Sequence, residues 1–417
     1  MSFNPNDKLL LSGLLPAEAS RERLRLLLGE NGGQIDWVAI LRRANFYHTA
    51  ALLRFNLAEA GLPDAAPPQF RSELDEISRA WAARHLATVS EAARLVAALN
   101  EAGIVALPLK GAALMLGNYY PQAGLRAALD IDLLVDPAQI EIAERIAEDC
   151  GYVEIPGRRD VRPRQRLANE RNHSWPRRGS AGLILELHHR AFHFAKGGRD
   201  FSFAELRARA AERQTDAGTS LLLPAPPDLA LHLVHHAMVD WQSTHAILRT
   251  VADLHFIFAR KPQARAEMME RAREFGFAGA AELAVRIWRL LAEGTLEELD
   301  EAANDEEITL LLDTALMESP TALAEAARLF EYFDFGSNPI RKFGNLLSLL
   351  FTSRSHLEQI YGAQKSGNVY FNYLRRPFDL MKRFNWGSLS PATLWRVWRL
   401  RKMSVRESRR AADYGRG

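Results

Sequence analysis

The 417 residues are 47% hydrophobic and 25% charged, ordinary globular values that allow two or three domains and a sizeable core. The single cysteine, Cys150, excludes an intrachain disulfide and a zinc site built from several thiolates, and it fits a reducing compartment. The net charge of +2 hides an asymmetry: residues 338–417 hold 16 Lys and Arg against 4 Asp and Glu, a tail of +12 on a remainder of −10.

In chain order, the N-terminus MSFNPNDKLLLSGLLP lacks a basic leader, and its apolar run is broken by Ser12 and Gly13, so no signal peptide is expected. No apolar stretch approaches the ~20 residues that span a bilayer. A cytoplasmic protein without a transmembrane segment follows as the expectation. From Arg21 to Asn100 apolar residues recur at helical spacing, as in Leu86, Val89, Ala93, Val96 and Leu99. Ile104 to Leu109 reads as a strand that ends at Lys110-Gly111. Ala112 to Tyr119 reads as a helix, and Asp130 to Val135 as a second strand. Pro137 opens a helix where its missing N–H costs nothing, and Gly151 stops that helix after Cys150. Tyr152 to Ile155 and Leu183 to His188 read as further strands, with a polar, basic loop or irregular helix over Arg158 to Arg171. After Pro227 the pattern is helical, broken at Pro262, near Pro320, and at Pro339, Pro377 and Pro391. The fold class is α+β, a small mixed-sheet core embedded in a mostly helical chain. Four regions are expected: helical 1–100, an α/β core 101–225, helical 226–335 and a basic helical 336–417.

The second strand begins DIDLLV. Side chains alternate across a strand, so Asp130 and Asp132 share one face, roughly 6–7 Å apart, while Ile131 and Leu133 enter the core. Two carboxylates that close repel, and a divalent cation with hard-oxygen preference, such as Mg2+, compensates them well. In LILELHHR, Glu186 and His188 likewise share a face. If the two strands are neighbours, Glu186 completes a three-carboxylate cluster able to hold metal ions around an in-line phosphoryl displacement. The competing reading is structural: Asp130 accepts backbone N–H bonds and Asp132 pairs with Arg126.

LPLKGAAL, Tyr120, Gly124-Leu125-Arg126 and DIDLLV together resemble the uncharacterised nucleotidyltransferase family of the polymerase-β-type superfamily. Glu186-Leu187-His188 is similar to the family's later strand. HHAMVDWQSTHAILRTVADLHFIF, with His235-His236, Arg249 and Asp253, is similar to its downstream helices. The Gly-Ser pair usual in the wider superfamily is replaced here by Lys110-Gly111. The resemblance implies that Asp130, Asp132 and Glu186 are catalytic and bind Mg2+ (or Mn2+), with Glu186 also a possible general base. It implies that Gly111 lets the backbone approach a phosphate, that Lys110 and Arg126 neutralise a triphosphate, and that His188, His236 and Asp253 line the cleft. The implied partners are an NTP and an acceptor that the residues do not name, whether a small molecule, a protein or an RNA end. The basic tail offers a surface for RNA or an acidic partner. The alternative is a catalytically inactive binding or adaptor protein on the same fold.

His232, His236 and Asp240 fall at four-residue spacing on one helix and share a face with metal-ligand character. A polar seam packed on the sheet, each imidazole bonded to a carboxylate or carbonyl, explains them better, because no cysteine or HExxH pattern supports zinc. Cys150 is expected to be inert core. P-loop, dinucleotide and hydrolase motifs are absent.

Overall fold

The computed structural model describes residues 3–31, 35–154, 177–179, 182–192, 201–214, 218–238 and 246–316, with isolated positions between 375 and 400. Helices α1 (Pro5–Ser12), α2 (Glu18–Asn31), α3 (Trp37–Phe46), α4 (Ala50–Glu59) and the long α5 (Pro68–Glu101) come first. Then follow β1 (Ala106–Pro108), α6 (Lys110–Leu116), β2 (Asp130–Val135), α7 (Ile140–Asp149), β3 (Val153–Glu154), β4 (Arg177–Arg178) and β5 (Ile184–His188). A short helix α8 (Phe203–Arg209) and a hairpin of β6 (Ala211–Gln214) and β7 (Ser220–Leu223) lead to α9 (Pro226–Met238) and α10 (Ile247–Arg260). The described helices end with α11 (Ala264–Glu274), α12 (Ala278–Glu293), α13 (Leu296–Glu301) and α14 (Glu306–Ala315). The fold is α+β, mostly helical around a small mixed sheet. No described helix is long and apolar enough to cross a membrane.

The main sheet has the order β1-β2-β5-β4-β3. β2 and β5 run parallel, and every other pairing is antiparallel. Alternation gives this sheet two different faces. On one, Ile131, Leu133, Val135, Leu185 and Leu187 are fully buried against Ala92, Leu95, Val96 and Leu99 of α5 and Ala143 and Ala147 of α7. Each such aliphatic residue contributes about 1.5–3 kcal/mol by leaving water. The opposite face carries Asp130, Asp132, Glu186 and His188. The parallel register sets Asp132 directly beside Glu186 and Leu134 beside His188.

A second, larger core joins the N-terminal helices to α9, α10, α12 and α14. Arg23 fastens the N-terminal helices to the end of α12. Its guanidinium donates to Ser12 Oγ at 3.1 Å, to the Leu291 carbonyl at 2.6 Å and to the Gly294 carbonyl, inside a site where it is 1% exposed. α5 belongs to both cores: Phe70 and Leu74 lie in the helical one, and Ala92 to Leu99 lie under the sheet.

Some expected boundaries move. The helix after β1 begins at Lys110 rather than Ala112 and ends at Leu116, where Gly117 caps it. Pro137 opens a 3-10 turn, Pro137–Gln139, before α7 starts. The strand expected over Tyr152 to Ile155 is Val153–Glu154. β4 and the β6–β7 hairpin were not expected, because Arg177–Arg178 and AERQ carry no apolar alternation; their pairing partners make them strands. Cys150 is half-buried at the end of α7 rather than core. Residues 158–171, Asp240, His245 and the breaks at Pro320, Pro339 and Pro377 lie outside the described residues. So does most of the basic tail. Of its described positions, Arg399 pairs with Glu306, Arg396 lies 3.8 Å from Asp313, and Leu400 is buried.

Candidate active site

The site starts at the turn between β1 and α6. The Leu109 N–H donates to the Asp132 carbonyl at 2.9 Å, which extends the β1–β2 ladder by one bond. The backbone then turns sharply, with Lys110 at φ 45°, a left-handed conformation that costs a non-glycine residue energy. Gly111 follows because nothing larger fits: a Cβ there would stand 2.8 Å from the Ala128 Cβ. This strained turn aims the Lys110 ammonium across the mouth of β2. Its Nζ donates to Asp132 Oδ1 at 2.8 Å. His188 Nε2 lies 2.8 Å from the same oxygen and 3.8 Å from Glu186 Oε2. A carboxylate only accepts, so Nε2 carries the ring proton in this arrangement.

Asp132 is 1% exposed. Burial favours its neutral form, but Lys110 and His188 overcome that and hold its carboxyl far below the usual carboxylate range. Burial also opposes the Lys110 charge, and Asp132, Asp130 and Glu186 reverse the effect. Asp130, half-buried one residue pair away, goes the other way. The Asp132 charge, then burial, push it up to about 6. The two carboxylates of DIDLLV are therefore not equivalent: one is fixed as an anion, and the other can hold a proton.

A second ion-pair cluster adjoins the first. Arg126, in the loop before β2, donates from Nε to Asp253 Oδ1 at 2.7 Å, and Tyr120 donates to the same oxygen at 2.5 Å. Arg126 also reaches the Ala127 carbonyl. Asp253 sits on α10, is fully buried, and leaves Oδ2 without a partner. This corrects one structural expectation: Arg126 is held by Asp253, and the partners of Asp132 are Lys110 and His188.

Among the described residues, Asp132, Glu186 and His188 each offer one ligand atom, all within 4.8 Å of one another. Two carboxylate oxygens and one imidazole nitrogen make a chemically sound donor set for a divalent ion. His188, expected only to line the cleft, thus stands among the donors, while Asp130 stands beside them. His232 and His236, on one face of α9, adjoin this group and feel the charges of Lys110 and Asp132. Burial first, then Lys110, keeps His232 down at about 3, and a hydrogen bond to the Ala191 backbone offsets only part of this. It packs edge-on against Phe192 at 5.5 Å.

Residues 33–293 match the model of a family described as an uncharacterised nucleotidyltransferase. The chain belongs to that family. Membership implies an NTP substrate, and the matched segment runs from before α3 to the end of α12, so it includes both ion-pair clusters. No curated protein and no solved structure matches the chain.

The Asp130 shift has a measurable sign. Its pKa is raised on folding, so its protonated form stabilises the ligand-free fold. That contribution is complete below about 4 and is lost as pH rises through about 6. Asp130→Asn should therefore be more stable than wild type at pH 7.5, by roughly 1–2 kcal/mol, and lose about half of this advantage at pH 5. Urea unfolding of both proteins at the two pH values checks this; a constant difference would mean Asp130 titrates normally.

Proposed function

We propose that the chain moves a nucleoside monophosphate from an NTP to an acceptor hydroxyl, amine or phosphate, with release of pyrophosphate. One observation carries this reading: the register of β2 on β5 brings Asp132 and Glu186 of a nucleotidyltransferase-family chain side by side, with Lys110 and His188 on the same oxygen of Asp132. A divalent ion, Mg2+ or Mn2+, held by Asp132, Glu186 and His188 with Asp130 alongside, would supply charge neutralisation at the phosphates.

The residues divide the remaining work. Gly111, packed against Ala128, keeps the turn tight enough for the backbone there to approach a phosphate. Lys110, once drawn off Asp132, is a point charge within reach of the nucleotide. In the reaction the acceptor's nucleophilic atom bonds to the α-phosphorus while the α–β bridging P–O bond breaks. The bond's electron pair leaves with pyrophosphate. Glu186, the more exposed carboxylate of the pair, takes the acceptor proton. Positioning and electrostatics supply most of the rate in such transfers.

A second reading, a non-catalytic NTP-binding protein, draws on one fact: Asp132 Oδ1 already has two partners. Incubating the protein with each labelled NTP, Mg2+ or Mn2+, and a cell lysate separates the two. Label on a specific molecule, lost in Asp132→Asn, is the expected result. NTP binding without any transfer would select the non-catalytic reading.

A further inference from the structure

Pairing the charges of the cleft leaves one cation over. Lys110 belongs to Asp132 and Arg126 to Asp253. Asp130 and Glu186 remain, and a divalent ion would balance them. Arg249 then has no ion-pair partner of its own. It stands in the first turn of α10, one helical turn before Asp253, and is half-buried. Its neighbours in charge are Arg126, Asp253, Asp130 and Tyr120. It makes no hydrogen bond or ion pair among the described residues, although the Asp253 Oδ2 on its own helix is also unpartnered. Burial first, then the Arg126 charge, bring its pKa down to about 10. A half-buried guanidinium beside another guanidinium, with no ion pair of its own, is free to take an anion that enters the cleft.

We infer that Arg249 is the phosphate-gripping guanidinium of the cleft, taking oxygens of the NTP's polyphosphate tail, while Arg126 is a positioning residue locked to Asp253. This rests on the nucleotidyl-transfer reading and assigns a role that Arg126 cannot fill with its Nε and one terminal nitrogen already engaged. The chemistry suits the position. A triphosphate brings more negative charge than one divalent ion cancels, and Arg grips phosphate oxygens in a bidentate fork.

The experiment titrates inorganic tripolyphosphate, and separately each NTP, into the full-length protein with Mg2+, for wild type, Arg249→Gln and Arg249→Lys. Arg249→Gln should weaken both ligands ten- to hundredfold, the range for loss of charge-assisted bonds, and Arg249→Lys should recover part. The ligand-free melting temperature of Arg249→Gln should equal or exceed that of wild type, because the repulsion between Arg249 and Arg126 has gone. A merely structural arginine would show the reverse. Wild-type affinity in Arg249→Gln, or a melting temperature several degrees lower, would overturn the inference. Binding of neither ligand by wild type would overturn both it and the proposed function. Arg249-dependent polyphosphate binding without label transfer from any NTP would support the inference and remove only the transfer.

Discussion

Asp132→Asn should abolish divalent-ion binding and lower nucleotidyl transfer at least a thousandfold, with the chain still folded. Loss of one preorganised electrostatic group at a reacting phosphate typically costs about 3–4 kcal/mol of transition-state stabilisation. Here the loss is compounded. Asp132 is the member of the pair that is ionised at every working pH, and its Oδ1 is shared by Lys110 and His188. Asparagine keeps the shape and an oxygen for both donors, so the β2–β5 register should survive. What it removes is the charge that opposes the Lys110 ammonium, and breaking a buried pair costs up to about 3–5 kcal/mol. The partial exposure of Lys110 places the expected loss toward the low end of that range. Mn2+ titration, turnover and urea unfolding belong in one series. Turnover equal to wild type would remove Asp132 from the chemistry.

Asp253→Ala should be the most destabilising single change in the cleft, by about 3–5 kcal/mol. Its Oδ1 accepts from both Arg126 and Tyr120 in the dry interior. Without it two guanidinium groups, Arg126 and Arg249, remain beside each other with no fully buried anion between them, and the Tyr120 hydroxyl loses its acceptor. Asp253→Asn should cost less, since an acceptor remains. The coupling can be measured directly. In the Asp253→Ala background, adding Arg249→Gln should restore part of the lost stability, because the repulsion between the arginines disappears. Chemical unfolding of the two single variants and the double variant closes the cycle. Additive losses would mean that the two arginines do not sense each other.

Much of this site is legible in the chain because it is local. DIDLLV shows its period-two alternation, and the strand occupies those six residues. LELH has the same period, so the shared face of Glu186 and His188 needed only a neighbouring strand to bring both beside Asp132. The Lys-Gly pair marked the turn. The helix boundary slipped there because Lys110 enters α6 through a left-handed backbone that its side chain gives no sign of. What stayed hidden depends on contacts distant in sequence. The partner of Arg126 is 127 residues away on another helix, and nothing near DIDLLV points to it. His232 reads as polar, yet its ring faces Phe192. Arg249 is visible as an arginine four residues before an aspartate, which ordinarily suggests a surface i,i+4 pair. Only the fold shows that this aspartate has turned elsewhere.

The single helix α5 shapes how any change in one part of the molecule is felt in another. At 34 residues it is about 50 Å long, its first turns are seated among the N-terminal helices, and its last turns form the floor beneath Ile131 and Leu185. The sheet therefore shares its underside between α7 and a beam anchored outside it, and the beam also carries Arg84, which holds the carbonyls of Ala128 and Leu129 just ahead of Asp130. A tilt of that beam would shift the floor of the sheet and the approach to its carboxylates together, so the helical surroundings act as the alignment frame of the acidic cluster.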